Sequence, residues 1–254
     1  MIPLYDRNPT RTRPVVTMLL IGACVVVYFL IQPHNRAVDE AVFSYSHAAI
    51  PCEVVKGRPL ADEEIARTIQ QGDSSACQAH PTTNADFPDK SPYLAILYSM
   101  FLHGSLLHLG GNMLFLWVFG NNIEDHAGKV KYILFYLLAG LAATAAQIAV
   151  DPSSTVPMIG ASGAIAGVMG AYLILFPNVR IRSLIFLGFF IFFRDISAKW
   201  LLGIWFVTQF FTNPASGVAW MAHVGGFAFG VLVGLAWRAA HPEPRGPALA
   251  QPAW

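Results

Sequence analysis

Long apolar runs, each closed by charged or turn-forming residues, set the pattern of this chain. A helix needs ~20 mostly apolar residues to cross a hydrocarbon layer ~30 Å thick. Six stretches approach that length, at about 14–32, 105–121, 130–150, 159–176, 198–213 and 221–238. A seventh, Leu184–Phe193, is apolar but too short to span, and Arg194, Asp195 and Lys199 divide it from the next run. It reads as a piece lying at the membrane surface; counted as a span, it would bring the number to seven. The pattern therefore predicts an all-α membrane protein, a six-helix bundle, with a polar stretch at about 33–91 between the first two spans.

Composition and charge fit that reading. The 254 residues are 55% hydrophobic and only 12% charged, about half the charge of an ordinary soluble domain. The net charge of +1 gives no reason to expect nucleic acid as a partner. Placement of the basic residues carries more information. With six spans and the N-terminus inside, Arg7, Arg11, Arg13, Lys129, Lys131, Arg180, Arg182, Arg194, Lys199, Arg238 and Arg245 fall on the inner side. Only Arg36, Lys56, Arg58, Arg67 and Lys90 fall outside, all in one segment, and the stretches 151–158 and 214–220 carry no Lys or Arg. This asymmetry places both termini in the cytoplasm. The expected organisation is a cytoplasmic N-terminus at 1–13, one six-span domain over 14–238 with the outer loop 33–91, and a cytoplasmic Pro-rich tail at 239–254 that reads as disordered. The first run, Val15 to Ile31, follows three arginines as a signal peptide would. It is longer than a usual signal core and QPHNR offers no small-x-small cleavage site, so it reads as an uncleaved span.

The outer loop is acidic, and its ADEEIARTIQQ stretch predicts a short helix with acids early and an Arg later. Cys52 and Cys77 both lie in it, on the oxidising side, where a disulfide between them is expected over two free thiols. Cys24 lies inside an apolar run and reads as a small buried hydrophobe. No Cys/His spacing points to zinc.

Polar side chains inside spans are costly, so each needs a reason. His108, Asn112, Ser162 and His223 stand out. In the six-span arrangement all four lie near the outer ends of spans two, four and six; with seven spans, Ser162 and His223 would fall on opposite sides. At ~1.5 Å per residue, Ser162, His223 and His108 each stand roughly 22–24 Å above the inner ends of their spans. That sets all three about 5–10 Å below the outer face. Ser162 is flanked by Gly160 and Gly163, giving an open turn near free backbone N–H groups. By itself GASG is more simply a small-residue packing face. However, Gly163, Gly167 and Gly170 on span four match Gly226, Gly230 and Gly234 on span six, two faces that would bring the backbones close. Ser162 and His223 head these faces, as a nucleophile and its base would. His108 and Asn112, four apart, share one helix face and could donate hydrogen bonds to an oxyanion. His103 reads at least as well as a tie to neighbouring loops. No carboxylate accompanies the pair, so a Ser–His dyad is expected, with nothing visible to orient the imidazole.

HGSLLHLGGN at 103–112, GASG at 160–163 and AHVGG at 222–226, in that order on spans two, four and six, resemble the rhomboid family of intramembrane serine proteases. The resemblance covers roughly residues 92–238. It implies a six-helix fold, a catalytic Ser162–His223 dyad, and an oxyanion site of His108, Asn112 and the Ser162 N–H. It also implies cleavage of transmembrane protein substrates near their outer ends, without metal or nucleotide cofactor. The fifth span and the loop after it, about 213–220, look like the substrate gate, with Trp205 and Phe206 as gate residues. Glu124 in NNIEDHAG resembles a structural acid at the inner end of span two. The chain departs from some relatives in carrying Gly111 where a bulky aromatic precedes the Asn, and Ala166 where a Tyr follows the serine by one turn. The resemblance does not explain the loop 33–91.

Three alternatives frame this reading. A non-catalytic relative that escorts membrane proteins would share the fold, but both dyad residues are present here. A transporter would place ionisable residues at the midplane, and none lies there. Metallo- and aspartyl-type intramembrane proteases require HExxH or two intramembrane aspartates, and the chain has neither. The expected setting is a bacterial inner membrane, with the lipid bilayer and membrane-protein substrates as partners.

Overall fold

The computed structural model describes residues 1–188, 190–212 and 218–240. The expected tail beyond residue 240 and the stretch 213–217 of the expected gate loop lie outside the described residues. A helix covers each of the six apolar stretches. α1 (Val15–Val26) runs on through a π-helical turn, Val27–Ile31. Four short helices follow: α2 (Ala37–His47), α3 (Pro51–Lys56), α4 (Asp62–Gln71) and α5 (Pro92–Ser99). The bundle is completed by α6 (Leu106–Ala127), α7 (Lys129–Val150), α8 (Ser162–Leu175), α9 (Ala198–Gln209) and α10 (Trp220–Ala240). By length and composition alone, α7 and α10 could cross a membrane.

α8 is the central helix: every residue from Gly163 to Tyr172 is buried. Its glycine face explains how. A Cβ on Gly226 would land on the Gly163 carbonyl oxygen, and one on Gly230 on the Gly167 carbonyl oxygen. Backbone therefore meets backbone between α8 and α10, an approach that only glycine permits. The outward surfaces are apolar instead, with Leu19, Leu30, Leu107, Val130, Leu232 and Trp200 exposed.

The helices are fastened by polar side chains where their ends lack partners. α1 starts after Pro14 with no cap of its own. Glu124, buried on α6, accepts the Val16 and Thr17 N–H groups at 3.0 and 2.8 Å and the Thr17 hydroxyl at 2.8 Å, satisfying donors that the first turn leaves free.

The expectation of a purely α-helical chain is corrected by a three-stranded antiparallel sheet in the order β1 (Ile2–Asp6), β2 (Arg180–Leu187), β3 (Phe190–Ser197). The apolar piece 184–193 forms most of the β2–β3 hairpin. Leu187 pairs with Phe190, and Gly188, directly after Leu187, has φ +60°. Phenylalanine and isoleucine favour an extended chain, but so short an apolar run carries no period that separates strand from helix. β1 pairs with β2 across most of the chain's length, and nothing local to residues 1–13 signalled it.

The stretch 33–91 is a folded cap with a small core of its own, built from Tyr45, Ile50, Cys52, Leu60 and Ile65. Cys52 and Cys77 are joined by a disulfide. Buried Lys90 and Glu53 pair at 2.6 Å; burial pushes the Glu53 carboxyl up and the Lys90 ammonium down, and the pairing opposes both. On α4, the helix expected from ADEEIARTIQQ, Glu64 is fully enclosed. It takes both arms of Arg58 at 2.8 Å and the Ala61 and Gln78 N–H groups.

Candidate functional site

The α7–α8 connection is clamped from the cap side. Cys52 N–H donates to Ser154 O at 2.9 Å, Met158 N–H to Ala49 O at 2.8 Å and Thr155 N–H to Ser74 O at 2.9 Å. The Thr68 and Thr155 hydroxyls meet at 2.6 Å. Below this clamp Gly160 donates to Ser99 O at 2.9 Å and turns with φ +126°. That conformation favours glycine, and a Cβ there would also collide with the His108 ring at 2.9 Å. The turn delivers Ser162 as the first residue of α8, where backbone N–H groups have no intrahelical acceptor.

Ser162 Oγ lies 2.8 Å from His223 Nε2, the reach needed for proton transfer. The other ring nitrogen, Nδ1, lies 2.7 Å from Gln209 Oε1. The Gln209 amide nitrogen donates to Trp205 O at 2.9 Å, which fixes its oxygen toward the imidazole. Nδ1 therefore carries the proton and Nε2 presents its lone pair to the serine. Gln209 was not singled out from sequence. It ends an apolar helix fourteen positions before the histidine, and neither a period nor a motif marks it.

Two more donors converge on the same cavity, which measures about 600 Å³ and is lined by Ser162, His223, His108 and Asn112. The buried Asn112 Nδ2 has no hydrogen-bond partner among the described residues. His108 Nδ1 accepts weakly from Gly104 N–H at 3.4 Å, leaving Nε2 as its donor. Trp205 also lines the cavity, its ring 5.9 Å from that of His223. Phe206 is turned away and stacks on Phe227 at 4.6 Å. His103 is absent from the cavity wall. Its N–H and C=O are both bonded to the Gln32 side chain at 3.0 Å, and its ring packs edge-on against His108. Among the described residues, Asp151 is the one carboxylate lining the cavity, and none hydrogen-bonds His223.

Fold and site together define a largely helical, apolar-surfaced bundle with a serine–histidine pair facing a cavity of mixed polar and apolar lining at the head of its central helix. The rhomboid domain model matches residues 90–240, so the chain belongs to the rhomboid family, which is integral to membranes. It is 30% identical over 151 residues to mitochondrial Rhomboid protein 1 of Saccharomyces cerevisiae, covering 56% of this chain and 41% of that protein. It is 32% identical over 143 residues to the mitochondrial presenilin-associated rhomboid-like protein of Bos taurus, covering 54% and 36%. Rhomboid protease GluP of Bacillus subtilis matches at 38% over 78 residues, covering 31% and 15%. The matched stretch thus spans less than half of each relative's length.

Proposed function

We propose that this chain is an intramembrane serine endopeptidase that cleaves membrane proteins in or near their transmembrane segments. The observation that carries the reading is the Ser162–His223 hydrogen bond at the head of α8, with the unpaired Asn112 amide beside it. In the proposed step, Ser162 Oγ attacks the scissile carbonyl and His223 Nε2 takes its proton. Asn112 Nδ2, His108 Nε2 and the Ser162 N–H hold the oxyanion. The imidazolium then returns the proton to the leaving amine, and water resolves the acyl-enzyme. The scheme draws on no metal or nucleotide. Substrate segments must expose a carbonyl that helical hydrogen bonds would hide, which favours Gly, Ala, Ser or Pro near the cut.

The proposal includes six spans over 14–238 with both termini cytoplasmic. The sheet supports it, because residues 2–6 and 180–197 must share a side and four spans separate them. The cap 33–91 then lies outside, where its disulfide would persist. The membrane is proposed to be a bacterial plasma membrane, with support from the GluP similarity; the names of the yeast and bovine relatives place those proteins in mitochondria. Trp205, at the cavity wall, is the proposed gate residue, and Phe206 backs it through Phe227.

The test is cleavage of a single-span substrate in liposomes by wild type, Ser162→Ala and His223→Ala. Cutting by wild type alone, near the outer end of the span, is expected. Cutting that survives Ser162→Ala, or no cutting by folded wild type on several substrates, overturns the reading; the second outcome favours a non-catalytic escort.

A further inference from the structure

Asp151 sits oddly for a structural residue. It caps the C-terminal end of α7, where the helix dipole repels an anion. Its backbone is engaged, the N–H with Gln147 O and the carbonyl with Ser154 N–H, but its carboxylate has no ion pair or hydrogen bond among the described residues. The connection 151–158 contains no Lys or Arg to neutralise it. Yet the residue lines the same cavity as Ser162 and His223, the only acidic or basic one apart from histidine to do so among the described residues. A half-exposed carboxylate with no protein counter-ion beside a substrate cavity is free to pair with a cation on the substrate.

Its height specifies where. Gly163 of α8 packs against Ala143 of α7, and Gly167 against Ala139, which sets Ser162 level with Thr144. Asp151 lies seven residues further along α7, about 10 Å above Ser162. An extended chain covers that in about three residues.

Resting on the protease reading above, we infer that Asp151 selects membrane-protein substrates that carry a lysine or arginine about two to four residues to the outer side of the scissile bond. Outer flanks of spans are poor in basic residues, so this requirement narrows the substrate field sharply.

The experiment uses the full chain in liposomes and single-span substrates that differ only in having Lys, Gln or Glu at each of the four positions outside the cut. Wild type is expected to favour Lys over Gln at one of them by about fivefold in kcat/KM, with Glu poorer still, and added salt shrinks the spread. Asp151→Asn flattens the series and Asp151→Lys reverses its order. Cleavage with a flat wild-type series, or a Lys preference that survives Asp151→Asn, overturns this inference alone. Failure to cleave even the Gln substrates overturns the protease reading and this inference with it.

Discussion

At the scale of single side chains, the amide of Gln209 settles which nitrogen of His223 faces Ser162. A carboxylate would do the same and would also stabilise the imidazolium; a neutral amide only orients. Replacing it with leucine removes one hydrogen bond, worth ~1 kcal/mol, and frees the ring to turn. On the proposed mechanism, Gln209→Leu lowers kcat about tenfold with KM nearly unchanged. Gln209→Glu restores orientation and shifts the pH–rate profile, a change that a packing role would not produce. Steady-state kinetics across pH in liposomes check both. The serine and histidine could be singled out from sequence because polar residues heading glycine faces are conspicuous in apolar runs. Gln209 could not, because its role depends on how α9 lies against α10. Ala166 shows the same limit: the absence of a Tyr one turn after the serine was legible, but the support that His223 receives from α9 was not.

Among the elements, the helices were legible and the sheet was not. Apolar length marks a span directly, whereas β1 exists only because β2 lies beside it. Asp6 closes this contact from its half-buried place at the end of the strand. Its Oδ2 accepts the Tyr172 hydroxyl and the Asn122 amide, both at 2.6 Å. Burial pushes the Asp6 carboxyl up to about 6 from 3.8. Between those values the docked strand holds a proton that the detached strand has released, so docking weakens as pH rises through that window and is strongest below it. A spin label at Ile2 is expected to gain mobility as pH climbs from about 4 to about 6. With Asp6→Asn the profile becomes flat. A wild-type label whose mobility is unchanged across this range contradicts the assignment.

For the molecule as a whole, the cap and the bundle act on one another through the α7–α8 connection. Sequence marked 33–91 as acidic and disulfide-capable, but its small core and its grip on Ser154, Thr155 and Met158 depend on contacts between distant segments. Removing the Cys52–Cys77 bridge is expected to cost the cap about 2–5 kcal/mol. Cys52→Ser/Cys77→Ser should therefore speed hydrogen exchange at 154–158 while leaving the lower half of α7 unchanged. On the proposed function it also lowers kcat/KM, because the turn that presents Ser162 starts from that connection. Exchange mass spectrometry in detergent reads the first effect, and unchanged protection at 154–158 would show the clamp to be incidental.

The pairing of β1 with β2 also sets a clock on biosynthesis. A ribosome adding ~5–20 residues per second needs roughly 10–35 s between making Asp6 and making Arg180. Throughout that interval the first strand has no strand to pair with, and Asp6 can meet only the Asn122 amide until α8 brings the Tyr172 hydroxyl. On the proposed topology, the sheet can close only if the two segments emerge on the same face, so each finished molecule carries in its N-terminal strand a record that the intervening helices were threaded correctly. A chain with one helix left unthreaded would keep that strand loose, exposed to the proteases that clear faulty membrane proteins.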